Sequence, residues 1–228
     1  PCRGKHGVPP PGSLPLPPRP RDGQCRVRGR DLQQIVDADG PLDYETAADY
    51  IRQAIDVSQT LGSPNLVGPI YSAVGRTWQA TPEERARDLD LLVDNLGPLS
   101  EYAGDHGVKL GIEPLNRFET SFINLADQIL EVVDRVDHPS CQIMLDTFHM
   151  NIEEADIGES IKICGDRIFH FHVADSNRWY PGAGHLDFGT ILDELAGTGY
   201  RGFVSGEFMP LPDADTAAER AITYLENL

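Results

Sequence analysis

Helical and extended segments alternate along most of the chain, and this alternation restricts its fold more than any other feature. Helical periodicity occurs at residues 42–62, 82–106, 124–137, 156–164, 188–197 and from 214, and apolar runs predict strands at 63–74, 108–115, 141–148, 167–175 and 202–209. Such an order is typical of a parallel sheet covered by helices. The sequence therefore predicts an α/β protein with five recognisable strand–helix units.

Four of the predicted strands carry a polar residue near their carboxyl end, on the face opposite their apolar side chains. These residues are Glu113, Asp146, His172 and Glu207, at separations of 33, 26 and 35 residues. One such residue per strand–helix unit, always at the same end, is typical of the catalytic face of a (β/α)₈ barrel, or TIM barrel. An open doubly wound sheet is the alternative, but no Gly-rich phosphate loop follows the first predicted strand.

The chemistry of these four side chains predicts a divalent metal site. Three carboxylates and one imidazole at a single point would repel one another unless a cation lay between them. A set of mostly oxygen ligands suits Mn²⁺, Mg²⁺ or Co²⁺ better than a structural zinc ion. Each residue alone also has an ordinary structural interpretation, such as Asp146 as the N-cap of a turn or His172 as a hydrogen-bonded core histidine. Their common register favours the metal site.

Composition excludes several other classes of protein. A net charge of −17 and a pI near 4.6 argue against a nucleic-acid partner. No apolar run approaches the ~20 residues needed to cross a bilayer, and no signal-peptide pattern is visible, so we expect a cytoplasmic protein without a membrane partner. The cysteines lack CxxC spacing and are expected to be reduced thiols; they are Cys2, Cys25, Cys141 and Cys164.

The first 40 residues differ from the rest of the chain. Residues 1–30 hold seven basic residues against one acid and eight of the eighteen prolines. Because such a segment buries too little apolar surface to offset its ordering entropy, we expect residues 1–40 to be irregular or disordered, and a non-native start is favoured over a basic anion-binding arm. Residues 41–228 would form a partial TIM barrel that is incomplete at its N-terminus and has unpaired edge strands.

Four segments of the chain resemble a known family. They are GIEPLNRFE (111–119), MLDTFHMNIEE (144–154), HFHVADSNR (170–178) and SGEFMP (205–210). In order and spacing they are similar to the D-tagatose/D-allulose 3-epimerase family, the ketose 3-epimerases of the xylose isomerase-like TIM barrels. The resemblance implies metal binding by Glu113, Asp146, His172 and Glu207, sugar contacts by Glu119, His149 and Arg178, and acid/base catalysis by Glu113 and Glu207. It also implies a small-molecule ketose as substrate and a homo-oligomer.

The residue types fit C3 epimerisation of a free ketose apart from this resemblance. Removal of the proton beside a ketone leaves a cis-enediolate, whose charge a divalent ion stabilises as a Lewis acid. Inversion then needs a second acid/base group on the opposite face, and Glu113 and Glu207 form a suitable pair. His149 and Arg178 would orient hydroxyl groups and polarise the oxygen on C2.

Other functions remain open from the sequence. An aldose–ketose or hydroxypyruvate-type isomerase would use the same scaffold, and a shortened barrel could be an inactive remnant that binds metal or sugar without turnover. An endonuclease IV-like hydrolase needs extra metal ligands and a basic surface, which the net charge of −17 disfavours.

Several polar and aromatic residues near these motifs have no assigned role. His170 is expected to be a hydrogen-bonded core histidine. Asp175 either lines the site or is solvated, and Tyr71 and Trp78 could form an apolar wall for the sugar or ordinary rim packing.

Overall fold

The structure is a computed structural model that describes residues 44–72, 75, 77 and 79–228. Its elements, in chain order, are α1 (Tyr44–Leu61), β1 (Asn65–Gly68), α2 (Pro82–Asp105), β2 (Lys109–Ile112), α3 (Ala126–Val136), β3 (Cys141–Asp146), α4 (Thr147–Glu153), α5 (Ile157–Cys164), β4 (Ile168–Val173), α6 (Phe188–Gly197), β5 (Val204–Gly206) and α7 (Ala214–Leu225). The segment 1–40, which we expected to be irregular, and Trp78 lie outside the described residues.

The five strands form one parallel sheet in the order β1-β2-β3-β4-β5. Because each strand pairs with the next one along the chain and helices connect them, the sheet is a section of a (β/α)₈ barrel. The predicted fold class and its five strand–helix units are confirmed. Within the described residues β1 and β5 are the edges of the sheet, and Phe203 and Val204 are exposed at β5.

The apolar core lies between the sheet and its helices. From the strands it includes Leu110, Ile112, Ile143, Leu145, Ile168, Phe171 and Val173, and from the helices residues such as Leu96, Ile129, Val133, Ile161 and Leu195. In a regular strand Phe169 would share the face of Phe171 and Val173, and from this alternation we expected it on the apolar side, but it is not part of the core. The register of β3 and β4 shifts between Ile143 and Met144, and such an irregularity interrupts the alternation of side chains. Ile168 takes the core position, and His172 keeps its predicted face.

The start of α2 follows from its sequence. The Thr81 hydroxyl accepts a hydrogen bond from the N–H of Glu84 at 3.2 Å, and the Glu84 carboxylate accepts one from the N–H of Thr81 at 2.8 Å. Pro82 occupies the first helical position. This is the capping box that the sequence predicts, and it satisfies N–H groups that have no partner inside the helix.

The cysteines and the helices of the described residues bear on two expectations from composition. Cys141 and Cys164 are buried and free, as expected of reduced thiols, whereas Cys2 and Cys25 lie outside the described range. None of the described helices is long and apolar enough to span a membrane.

A carboxylate from a distant loop caps α3, and its removal should destabilise the fold. Glu154 accepts the backbone N–H of Ala126 at 2.7 Å and the hydroxyl of Ser160 at 2.7 Å. We expect Glu154→Ala to lower the free energy of unfolding by about 1–2 kcal/mol, the usual cost of a lost cap. Urea denaturation measures the change.

Glu131→Ala is the matched control, because Glu131 lies on α3 at a solvent-exposed position and its ion pair with Arg135 is long, at 4.0 Å. Its loss should stay within about 0.5 kcal/mol. Equal losses in the two variants would contradict the capping role of Glu154.

Candidate metal centre

Four side chains meet at the carboxyl edge of the sheet. Glu113 directly follows β2, Asp146 ends β3, His172 lies in β4 and Glu207 directly follows β5. Each offers one ligand atom, and these atoms all lie within 4.8 Å of one another. The structure thus brings together the four residues that the sequence predicts as metal ligands.

The donor atoms of this cluster fit a divalent ion. Within the described part of the chain, five buried side-chain atoms have no hydrogen-bond partner, and three of them belong to this cluster, namely Glu113 Oε1, Asp146 Oδ2 and His172 Nδ1. Buried polar atoms are nearly always paired, because their desolvation is costly. His172 Nδ1 lies 3.5 Å from Glu207 Oε2 and 4.0 Å from Asp146 Oδ2, which is too long for well-formed hydrogen bonds. Three oxygen donors and one nitrogen suit Mn²⁺, Mg²⁺ or Co²⁺.

The position of Asp146 is compatible with both roles that the sequence left as alternatives. The predicted strand 141–148 is too long, since β3 ends at Asp146 and α4 begins at Thr147. Oδ1 of Asp146 accepts the N–H of Phe148 at 2.8 Å and caps this helix, while Oδ2 remains available to the cluster. One carboxylate therefore serves as N-cap and offers a ligand atom. The same short helix carries His149.

Burial in the cluster, together with the neighbouring negative charges, raises the pKa of two of its carboxyl groups. Burial raises the pKa of Glu113 to about 9, and the negative charges of Asp146 and Glu207 add to this effect. The pKa of Asp146 is also raised, again mainly by burial. The pKa of Glu207 is lowered instead, because His172 favours its charged form and Arg178 contributes in the same direction. Glu113 therefore holds a proton at neutral pH unless a cation replaces it.

The three residues predicted to contact the sugar lie beside this cluster. His149 Nε2 is 3.7 Å from Glu113 Oε1. Arg178 donates to Glu207 Oε2 at 3.2 Å and to Glu119 Oε1 at 3.5 Å. Burial, reinforced by the charge of Arg178, lowers the pKa of His149 to about 4, so its imidazole is neutral at neutral pH. All seven predicted site residues thus lie in one region, although their roles stay predictions.

The loop after β4 holds Arg178 in an unusual backbone conformation. Its φ of 59° lies in the left-handed region, which is costly for a residue with a side chain. The Arg178 N–H donates to the carbonyl of Asp175 at 2.7 Å, and the Arg178 carbonyl accepts the N–H of Met209 at 2.7 Å. These bonds stabilise the conformation, and the guanidinium lies over the Phe148 ring, 4.6 Å from its centroid.

Asp175, which the sequence left undecided, is completely buried and organises this loop. Its carboxylate accepts backbone N–H groups of Ser176 at 2.8 Å, Gly182 at 2.9 Å and Leu186 at 3.1 Å. Burial alone would raise the pKa of Asp175, but the N–H donors outweigh it and lower the pKa. The sequence could not distinguish a solvated Asp175 from a buried one, because its partners are backbone N–H groups of the following loop, which give no sequence signal.

His170 behaves as predicted. It is buried, and its Nε2 lies 2.7 Å from the hydroxyl of Ser205. The ring lies edge-on to His172, with 4.9 Å between the ring centroids, and so packs against this candidate ligand.

Fold and site together define a class: a (β/α) barrel protein with a candidate divalent-metal site at the carboxyl edge of its strands. A sequence model of the family described as xylose isomerase-like TIM barrel matches residues 35–228. The chain belongs to this family.

The resemblance to ketose 3-epimerases is confirmed by individual relatives. An L-ribulose 3-epimerase from Methylomonas sp. (strain DH-1) is 34% identical over 181 residues, 79% of this chain and 62% of that enzyme. A D-psicose 3-epimerase from Ruminiclostridium cellulolyticum is 37% identical over 137 residues, 60% of this chain and 46% of that enzyme. The chain therefore spans less than two thirds of the length of either relative.

The fold of this chain is also similar to that of a solved structure. The crystal structure of a D-allulose 3-epimerase from Methylomonas sp. in complex with D-allulose matches with a TM-score of 0.74 and 30% identity. The match covers 83% of this chain and 71% of that structure.

Proposed function

We propose that the chain is a metal-dependent isomerase that epimerises a free ketose at C3. The observation that carries this proposal is the convergence of Glu113, Asp146, His172 and Glu207, whose ligand atoms lie within 4.8 Å of one another. The similarity to enzymes named as 3-epimerases of ribulose and psicose supports the reaction class.

The two glutamates would exchange protons with the sugar. A bound divalent ion supplies Lewis-acid stabilisation for negative charge on the substrate oxygens. Glu113 follows β2 and Glu207 follows β5, and two strands separate them, so their carboxyl groups reach the site from different sides. One carboxylate removes the C3 proton, and the other returns a proton to the opposite face of the same carbon.

The neighbouring side chains would hold the sugar in place. Arg178 is positively charged and already contacts both Glu119 and Glu207, so it lies where it can bind oxygens of the ketose. Glu119 accepts hydrogen bonds, which suits a sugar hydroxyl, and His149 would contact the oxygen on C2.

The decisive experiment measures whether the hydrogen on C3 of the sugar exchanges with solvent. The purified chain is stripped with chelator, supplied with Mn²⁺, Mg²⁺ or Co²⁺, and incubated with fructose, tagatose or ribulose in D₂O. We expect metal-dependent deuterium incorporation at C3 together with formation of the C3 epimer. Absence of both with every ion and sugar would contradict the proposal. Glu131→Gln, at an exposed position on helix α3, is the control variant.

The same assay separates the alternatives. An aldose product would indicate an aldose–ketose isomerase, and turnover of hydroxypyruvate would indicate that type of isomerase. Metal binding without any exchange would indicate an inactive remnant. Nicking of DNA would indicate an endonuclease IV-like hydrolase, which the net charge of −17 disfavours.

The remaining expectations belong to this proposal. We expect Mn²⁺ as the working ion, with Mg²⁺ or Co²⁺ as substitutes, because the donor set has three carboxylates and one imidazole. We expect a cytoplasmic enzyme of carbohydrate metabolism that acts on a small-molecule ketose, with no nucleic-acid or membrane partner. We also expect a homo-oligomer, which light scattering would test.

A further inference from the structure

Asn116 connects two of the predicted sugar contacts. It is buried, and its side-chain Nδ2 lies 2.8 Å from His149 Nδ1 and 2.9 Å from Glu119 Oε1. Its backbone N–H also donates to His149 Nδ1, at 3.1 Å. The sequence placed Asn116 inside the GIEPLNRFE segment but gave it no role.

The backbone contact determines the tautomer of His149. A backbone N–H can only donate, so the nitrogen that it meets must accept. His149 Nδ1 therefore carries a lone pair, and the proton of the neutral imidazole resides on Nε2. The assignment rests on a main-chain group and does not depend on how the Asn116 amide is oriented.

The orientation of the Asn116 amide is fixed by its other partners. Its Oδ1 accepts the backbone N–H of Phe118 at 3.0 Å, and its Nδ2 donates to the Glu119 carboxylate. A reversed amide would place its carbonyl against this carboxylate and its NH₂ group against the Phe118 N–H. Since both reversed contacts are repulsive, Nδ2 faces His149 and acts as a second donor to Nδ1.

We propose that Asn116 is a positioning residue that fixes His149 as a hydrogen-bond donor through Nε2. The inference rests on the proposed function and deepens it. Nε2 lies 3.7 Å from Glu113 Oε1, at the border of the metal cluster. An N–H at this place matches an acceptor on the substrate, such as the ketone or enediolate oxygen on C2. With a proton on Nε2, His149 can act neither as a base nor as a metal ligand through this nitrogen.

Asn116 in addition links His149 to the opposite side of the site. Its amide holds Glu119, Glu119 accepts from Arg178, and Arg178 donates to Glu207. The hydrogen bonds therefore run from the histidine beside one proposed acid/base glutamate to the other glutamate. The network is buried at Asn116 and His149, half-buried at Glu119 and Arg178 and exposed at Glu207, so it restricts the histidine end of the site most strongly.

Two substitutions separate the tautomer role from simple packing. Asn116→Ala removes the side chain but keeps the backbone N–H, so His149 should keep its Nε2 proton. The loss of one hydrogen bond to Glu119 should raise KM by about 2–10-fold with kcat nearly unchanged. Asn116→Asp replaces the Nδ2 donor with a carboxylate, whose charge-assisted hydrogen bond with an Nδ1–H is stronger than the 3.1 Å contact from the backbone N–H, so the substitution moves the proton to Nδ1. A neutral ring then has none on Nε2, and kcat should fall at least about tenfold.

Nitrogen NMR of the histidine ring reads the tautomer directly, and the His149 signal is assigned by its absence in His149→Gln. In the unmodified chain and in Asn116→Ala we expect an unprotonated Nδ1 and a protonated Nε2; in Asn116→Asp we expect a protonated Nδ1. An Nδ1–H tautomer in the unmodified chain would overturn the inference, as would an unchanged tautomer in Asn116→Asp.

This readout needs no turnover, so it separates the inference from the proposed function. Deuterium exchange at C3 with the wrong tautomer would refute only the role of Asn116. The expected tautomers without any exchange would refute only the epimerase activity.

Discussion

Glu207→Gln is expected to lower kcat for C3 epimerisation by about 10³-fold, because it removes one of the two groups that transfer protons. Glutamine keeps the size of the side chain and a carbonyl oxygen that can still face a metal ion, so the change mainly removes the base. Glu113→Gln should cause a loss of similar size. Initial rates with a ketose and its C3 epimer, each with saturating Mn²⁺, measure the effect.

The two variants should differ in a second respect, which tests the two-base arrangement itself. In Glu207→Gln, the epimer whose C3 hydrogen faces Glu113 should still exchange that hydrogen with D₂O without inversion. The other epimer should not exchange, and Glu113→Gln should show the opposite pattern. If both epimers exchanged equally in both variants, a single base would perform both transfers, and the assignment of this pair would be wrong.

A matched control is needed because both glutamates also belong to the metal cluster. Asp146→Asn changes a proposed ligand without removing a proposed base, so it should weaken metal binding while the exchange patterns of the two epimers stay equal to each other. Mn²⁺ affinity of all three variants, measured by calorimetry, shows whether a loss in rate follows loss of the ion.

The general form of this site could be predicted from sequence because it depends on topology alone. In a parallel sheet with one helix per connection, the carboxyl ends of all strands lie at one edge. Residues that end successive strands, such as Glu113 and Asp146, therefore meet without any knowledge of side-chain packing. The spacing of apolar residues was enough to locate the five strands of the described sheet.

The parts that could not be predicted depend on contacts between distant segments. Helix α4 was missed because CQIMLDTF (141–148) was interpreted as one strand, whereas the Asp146 side chain ends that strand by capping the next helix. The shift in register that leaves Phe169 outside the core arises from the pairing of β4 with β3. Asn116 gives no signal of its own, since its partners lie 3 and 33 residues away and meet it only in the folded site.

The metal affinity of the site should rise steeply with pH. Glu113 has its pKa raised to about 9, and an ion can use this carboxylate only after its proton leaves. With one proton released per ion, the dissociation constant for Mn²⁺ should fall about tenfold per pH unit below that pKa, or about 100-fold between pH 6 and pH 8. Calorimetry in two buffers with different ionisation enthalpies counts the protons released.

The stability of the metal-free protein should change in the opposite direction. Because the folded-state pKa of Glu113 exceeds its ordinary value of 4.5, the folded protein binds more protons than the unfolded chain between pH 4.5 and about 9. The contribution of this group to stability is therefore complete below pH 4.5 and is lost as pH rises through that window. Thermal unfolding with chelator should show this decline, and saturating Mn²⁺ should reverse it by an amount that grows with pH.

Glu113→Gln decides whether Glu113 is the group responsible. Glutamine has the shape of the protonated acid but cannot ionise, so the variant should release about one proton fewer on binding Mn²⁺, and its metal-free form should lose less stability as pH rises. Its affinity should also depend less on pH, which makes the variant weakest relative to the unmodified chain at pH 8. Equal proton release in the two proteins would show that Glu113 is already ionised before the ion binds, and the electrostatic account of this cluster would then be wrong.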